Sequence, residues 1–206
     1  MSRLELDPTE IGPAATYGWL TSLVVPRPIA WVSSTSAAGI DNLAPHSFFT
    51  VSSQDPPVVQ FTSVGRKDTL RNVEETGEFV VNLATEPLME LVNASATNYP
   101  RAIGEFDALG ITRAPSVVVR PPRVAASPAA LECRVVGFKA FGTNGSGCTV
   151  VFGQVVHVSV DEAVVRDGRA RIEELHPVAR LGGAEWSTIG EVSRRRRIPY
   201  VEPDDA

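Results

Sequence analysis

The 206-residue sequence predicts a mainly β domain with a few short helices, on three observations. Valine recurs in short clusters bounded by Gly, Pro, Asn and Asp, the pattern of strands separated by turns. Two long strand candidates flank a Gly-rich loop in the second half of the chain. The composition, 43% hydrophobic and 21% charged, is that of a globular chain, and its length suits a single domain burying roughly 70% of its unfolded surface.

The elements follow in order. Ile29 to Thr35 (IAWVSST) reads as the first strand, followed by a turn-like AAGIDN and then by strands at Ser47 to Ser52, Val58 to Thr62 and Glu78 to Leu83. Between the last two, Thr69 to Thr76 places Leu70 and Val73 on one helical face, with Asp68 as the expected N-cap and Gly77 just past the end. A second helix is expected over Pro87 to Ala96, where Leu88, Leu91 and Val92 fall at i, i+3 and i+4. It should cover one end of the sheet. Leu131 to Phe141 and Thr149 to Val160 form a long hairpin around GTNGSG, and Asp167-Gly168 within VVRDGRARI is the dipeptide that a type I′ turn prefers. No internal repeat or linker divides the chain, and Arg194 to Arg197 reads as part of a solvated tail.

Charge and cysteine usage exclude several functions. With 19 Lys+Arg against 24 Asp+Glu the net charge is −5, so neither nucleic acid nor an anionic membrane is an expected partner. The opening MSRLELDPTEIGP has acids and Pro where a signal peptide has basic and then apolar residues, and no apolar run is long enough to span a bilayer; a cytoplasmic protein is expected. Cys133 and Cys148 lack metal-site spacing and read as free thiols. His157 and His176 fit structural roles, and no metal site is expected.

Two constellations in Val25 to Leu83 can carry chemistry. Hydroxyls concentrate at Ser33, Ser34, Thr35, Ser36, Ser47, Thr50 and Ser52, where they either solubilise strand ends or converge on an acceptor-rich ligand. Arg66, Lys67 and Arg71 cluster about a helix start, with Ser63 and Thr69 beside them. This is either a solvated basic face near Glu74 and Glu75 or a phosphate site, where free N–H groups and the helix dipole favour an anion.

The blocks PRPIAWVSST, GIDNLAPHSFF, DPPVVQFTS, RKDTLRN and GEFVVNL, with FDALGIT, SPAALEC, VVFGQVV and HPVARLGG downstream, resemble in order and spacing the flavin reductase-like, FMN-binding split-barrel family. The likeness covers about residues 17–183 of a single domain, leaving 184–206 as a tail. It implies a split β-barrel of Greek-key character, a homodimer, and FMN, or FAD in its place, with its phosphate on Ser63, Arg66, Lys67 and Thr69. The isoalloxazine is then expected near Trp31, Ser33, Ser34 and Thr35 and near Asn42, Leu43, Ala44, His46, Ser47, Phe48 and Phe49. His46 offers a hydrogen-bond donor there, and Arg180 reaches toward the flavin or its substrate side.

No side chain is expected to be catalytic, because the flavin carries the chemistry. Electrons would pass from NAD(P)H as co-substrate through FMN to free flavin, a small-molecule acceptor or a partner monooxygenase. The chain departs from the family at Ser146-Gly147-Cys148, where many members carry Gly-Asp-His beside the nicotinamide. It also has no GxGxxG dinucleotide motif. That departure keeps open a flavoredoxin-like electron carrier, and a non-redox binding protein on the same barrel is a third reading.

Overall fold

The computed structural model describes residues 2–142 and 147–200. Helix α1 (Pro8–Leu23) leads, broken at Gly12 where φ is 78°, and is followed by strands β1 (Arg27–Pro28), β2 (Ala30–Thr35), β3 (Asp41–His46), β4 (Phe49–Gln54) and β5 (Pro57–Val64). Next come α2 (Asp68–Thr76), β6 (Glu78–Leu83), a 3-10 turn leading into α3 (Met89–Ala94), α4 (Glu105–Ala108), and the short pair β7 (Arg113–Ala114) and β8 (Arg123–Val124). Then follow β9 (Ala129–Phe141), β10 (Cys148–Val160), β11 (Val165–Arg166), β12 (Arg169–Ala170), α5 (Ile172–Leu175), β13 (Val178–Arg180) and β14 (Trp186–Thr188).

Seven strands form one antiparallel sheet in the order β3-β2-β6-β9-β10-β5-β4. Its ends, β3 and β4, are consecutive in the chain, and the sheet curls so that His46 at the end of β3 comes against β5, its Nδ1 3.3 Å from the Thr62 carbonyl. This is a split barrel, mainly β as the sequence predicts. Its interior holds Ala30, Val32, Val59, Phe61, Leu70, Val73, Phe79, Val81, Cys133 and Val151. A second apolar layer, with Trp31, Leu43, Leu88, Val92 and Phe106, lies outside β2 beneath α3 and α4. β2 is therefore buried on both faces, and its side chains alternate between the two cores.

Gly153 is needed for close approach, since a Cβ there would overlap the Phe79 ring inside the barrel. Glu132 on β9 is fully buried and accepts N–H bonds from Val117, Val118 and Val119, fixing the segment that leads into β8. Burial is the largest influence on its carboxyl and opposes ionisation, but the three N–H donors outweigh it and leave the pKa lowered.

Several expectations need correction. Lys67, not Asp68, occupies the N-cap of α2, and no side chain caps that end; Asp68 is the first helical residue and pairs with Arg71 at 3.2 Å. The strand expected at Ser47 to Ser52 begins at Phe49, and the stretch before it is not a plain turn, since Asp41–His46 pairs with β2 along its length. Pro45 is tolerated there because β3 is an edge strand. The helix expected from Pro87 to Ala96 starts as the 3-10 turn Glu86–Leu88 before α3. Asp167 and Gly168 both take positive φ, 52° and 70°, between β11 and β12, as a type I′ turn requires. Most of the GTNGSG loop, including Ser146, lies outside the described residues.

Among the described residues no helix is long and apolar enough to cross a membrane, and no group of three His, Cys, Asp or Glu side chains is arranged to hold a metal ion. Cys133 is buried, which pushes its thiol up to about 12, and Cys148 is half-buried at the head of β10.

Candidate functional site

A cleft of about 360 Å³ opens where the barrel is split, between β3, the end of β5 and the start of α2. The alternation of β3 decides what faces it. Asn42, Ala44 and His46 line the cleft, joined by Pro45 near the end of the strand, whereas Leu43, one residue out of phase, lies in the outer core. Ser47 and Phe48 extend the wall past the end of the strand.

The start of α2 supplies the opposite wall through Lys67, Asp68, Thr69 and Arg71. The first N–H groups of a helix have no intrahelical partner, and here no side chain caps them. Asn42 donates its amide N–H to Thr69 Oγ1 at 3.0 Å, which leaves the Thr69 hydroxyl hydrogen free to donate elsewhere. Lys67 has no carboxylate partner among the described residues. Uncapped N–H groups, a hydroxyl and two cationic side chains at one helix start form a setting for a phosphate.

Tyr17 reaches the cleft from α1, its ring 6.3 Å from that of Phe48. Arg27 holds α1 in place: its buried guanidinium donates to the carbonyls of Thr21 and Val24 at the helix end and to that of Leu181. The carbonyls it satisfies are those a helix C-terminus leaves unpaired. Through that bond and the β1–β13 pairing, the sequence blocks around Arg27 and Arg180 come together. The loop Ser95 to Tyr99 and Glu105 close the remaining sides. Glu105 accepts the Leu43 N–H at 2.8 Å, and burial raises the pKa of its carboxyl.

His46 is the most perturbed group in the cleft. Its Nδ1 lies 3.3 Å from the Thr62 carbonyl, its ring is 4.7 Å from that of Phe61, and its Nε2 is buried without a partner. Burial above all lowers its pKa to about 4, with the Thr62 bond acting the other way and the charge of Lys67 adding to the depression. The ring is thus neutral at pH 7. Since a carbonyl only accepts, Nδ1 carries the proton and Nε2 is an acceptor.

Of the fifteen residues the sequence singles out for a flavin, Asn42, Ala44, His46, Ser47, Phe48, Lys67 and Thr69 meet at this cleft. The other eight do not line it. Trp31 is fully buried, its indole N–H on Ser95 Oγ at 2.9 Å, and Ser33 donates to the Pro122 carbonyl. Ser34 accepts from Asn72, Thr35 donates to Asp41, and Ser63 donates to the Gly65 carbonyl. Leu43 and Phe49 pack against apolar cores. Arg66 extends outward to Glu74 at 2.8 Å, and Arg71 from the same basic cluster takes a place on the wall. Arg180 lies over Trp186 at 5.0 Å beside a separate surface hollow. Sequence reasoning missed Tyr17, Thr62, the Ser95 to Tyr99 loop and Glu105; Thr62 lies inside a recognised block and Glu105 beside one, while Tyr17 and the loop lie outside them.

A family model described as the flavin reductase like domain matches residues 21–173. An uncharacterized protein of Halalkalibacterium halodurans is 39% identical over 196 residues, covering 91% of this chain and 93% of its own. Nitrilotriacetate monooxygenase component B from Bacillus cereus superposes with a TM-score of 0.91 at 31% identity, covering 95% of this chain and 100% of that one. The 2-nitrobenzoate 2-nitroreductase of Pseudomonas fluorescens superposes at 0.88 with 28% identity, covering 96% and 98%.

Proposed function

The chain belongs to the flavin reductase-like domain family, and from that membership we propose that it is an FMN-binding oxidoreductase that passes electrons from NADH or NADPH to free flavin or another small acceptor. The observation that carries the proposal is the uncapped start of α2, with Lys67, Thr69 and Arg71 on the same cleft as the inward side chains of β3. These residues fit a ligand with an anionic end and a polar, planar body. Lys67, Arg71, the Thr69 hydroxyl and the free N–H groups would hold the phosphate. Asn42, His46, Ser47 and the Tyr17–Phe48 wall would hold the rest.

Bound flavin would supply the redox chemistry, accepting a hydride and releasing electrons to the acceptor. The protein positions. The aromatic wall and the Ser95 to Tyr99 loop limit water, and no titrating side chain is required beyond those that orient the ligand. With no GxGxxG motif in the sequence, a nicotinamide would enter the same cleft.

A partner monooxygenase as the consumer of reduced flavin is supported by the likeness to a structure described as a monooxygenase component B. A homodimer is supported by Val136, Phe138 and Phe141, which β9 leaves exposed on one long hairpin. A second reading, an FMN electron carrier with a protein partner, is favoured by Gly147-Cys148, which stand where the family resemblance leads one to expect Asp-His.

An anaerobic titration of the FMN-loaded protein with NADH and then NADPH separates the readings. Rapid bleaching of the visible flavin band by either nucleotide is the expected result. Bleaching by dithionite alone would favour the carrier, and failure to retain any flavin would overturn both. Sedimentation giving a single 22.1 kDa particle at micromolar concentration would refute the dimer.

A further inference from the structure

Most polar groups around the cleft are spent. Asn42 is bonded to Thr69, Glu105 to the Leu43 N–H, Asp68 to Arg71, and His46 Nδ1 to the Thr62 carbonyl. Apart from the free cationic and N–H groups at the start of α2, His46 Nε2 is the one buried side-chain atom of the cleft lining without a partner among the described residues. It belongs to a residue only 9% exposed, on a ring fixed by Phe61 at 4.7 Å and by Thr62, and it has no partner. The tautomer leaves it one role, since Nδ1 holds the proton. An unmatched buried acceptor is destabilising, and a donor brought by a ligand relieves it.

We propose that His46 Nε2 accepts a hydrogen bond from an N–H or O–H donor of the bound flavin, so that the neutral imidazole selects ligands carrying a donor at that place. The inference rests on the flavin reading of the cleft and reverses the sequence-based expectation for this residue: His46 gives the ligand an acceptor, not a donor. His46 Nε2 is closed to water. The bond would therefore require the groups that cover it to move aside as the ligand seats. An oxidised flavin has two kinds of donor, the ring N3–H and the ribityl hydroxyls.

The test uses wild-type protein labelled with ¹⁵N in histidine and followed by NMR as FMN is added to saturation, with flavin fluorescence reporting binding independently. The expected result is an unprotonated Nε2 resonance in the free protein that moves upfield on binding while the Nδ1–H signal stays in place. Repeating the titration with N3-methyl FMN identifies the donor: a retained shift assigns a ribityl hydroxyl, and a lost shift assigns N3–H. An Nε2 resonance that does not move although FMN is bound overturns the proposal. Absence of FMN binding removes the flavin reading itself, and this assignment with it.

Two variants give a second readout. His46→Phe keeps a ring against Phe61 but has no acceptor, and should weaken FMN binding roughly three- to tenfold. His46→Gln can donate to Thr62 and accept from the ligand together, and should recover much of that loss. Equal affinities for the wild type and the Phe variant would refute the bond.

Discussion

The burial of His46 makes folding stability depend on pH in a way one substitution should erase. Burial foremost, with the Lys67 charge adding to it and the Thr62 bond acting against it, lowers the folded-state pKa from 6.5 to about 4. The folded chain therefore refuses a proton that the unfolded chain accepts. Stability is full above pH 6.5, falls as the pH drops below that value, and stops falling from this source near pH 4. The whole window corresponds to about 3 kcal/mol, of which about 2 kcal/mol is lost by pH 5. Urea denaturation followed by tryptophan fluorescence, at pH 7.5 and pH 5, measures this for the wild type and for His46→Phe. His157, His176 and the carboxylates are common to both proteins, so the difference between the two pH effects isolates His46. The wild type should lose about 2 kcal/mol more than the variant. Equal losses, within about 0.5 kcal/mol, would refute a buried neutral imidazole.

Three further outcomes are expected. Lys67→Ala combined with Thr69→Ala should weaken FMN binding by roughly 2 to 4 kcal/mol, through loss of a charge-assisted and a neutral contact; unchanged affinity in calorimetry would remove the phosphate assignment. Gly153→Ala forces a methyl against the Phe79 ring and should lower stability by about 1 to 3 kcal/mol, seen as a reduced melting temperature. Glu132→Gln removes the charge that receives three backbone N–H groups and should cost about 2 kcal/mol. Faster amide exchange at Val117 to Val119 would locate that effect, and unaltered protection there would contradict it.

The interior strands were legible because their valine clusters sit between breakers, as in Val58 to Thr62 and Thr149 to Val160, and the two-residue turn at Asp167-Gly168 was legible from its dipeptide. Helix α1 was not. Gly12 and Pro13 interrupt it, and Thr21 is its one buried residue, so no apolar stripe marks it. Its position depends on Arg27 and Leu181, which lie 154 residues apart in the chain. The site was half legible for a different reason. A run of hydroxyls from Ser33 to Thr35 looks continuous in sequence, but a strand sends alternate side chains to opposite faces. Ser33 follows Trp31 to the outer layer, while Ser34 faces α2 and is taken by Asn72. Reading β3 by the same alternation gives Asn42, Ala44 and His46 together, but β3 went unread as a strand because Pro45 lies within it.

That proline also bears on why the barrel is split. An edge strand exposes backbone N–H groups on its unpaired side, and these invite another strand. On β3 the Leu43 N–H faces away from β2 and is taken by the Glu105 carboxylate. Two residues on, Pro45 has no N–H to offer. The open edge is thus satisfied without a neighbouring strand, and β3 has little to gain from extending its contact with β5 beyond His46. The gap left by that incomplete closure is the cleft, walled by side chains of the strand that failed to pair and by the helix start that follows β5. Closing the barrel by further pairing would strengthen the sheet and remove the site. Pro45 and Glu105, both on the cleft wall, therefore support the cleft by making an unpaired edge stable enough to leave open.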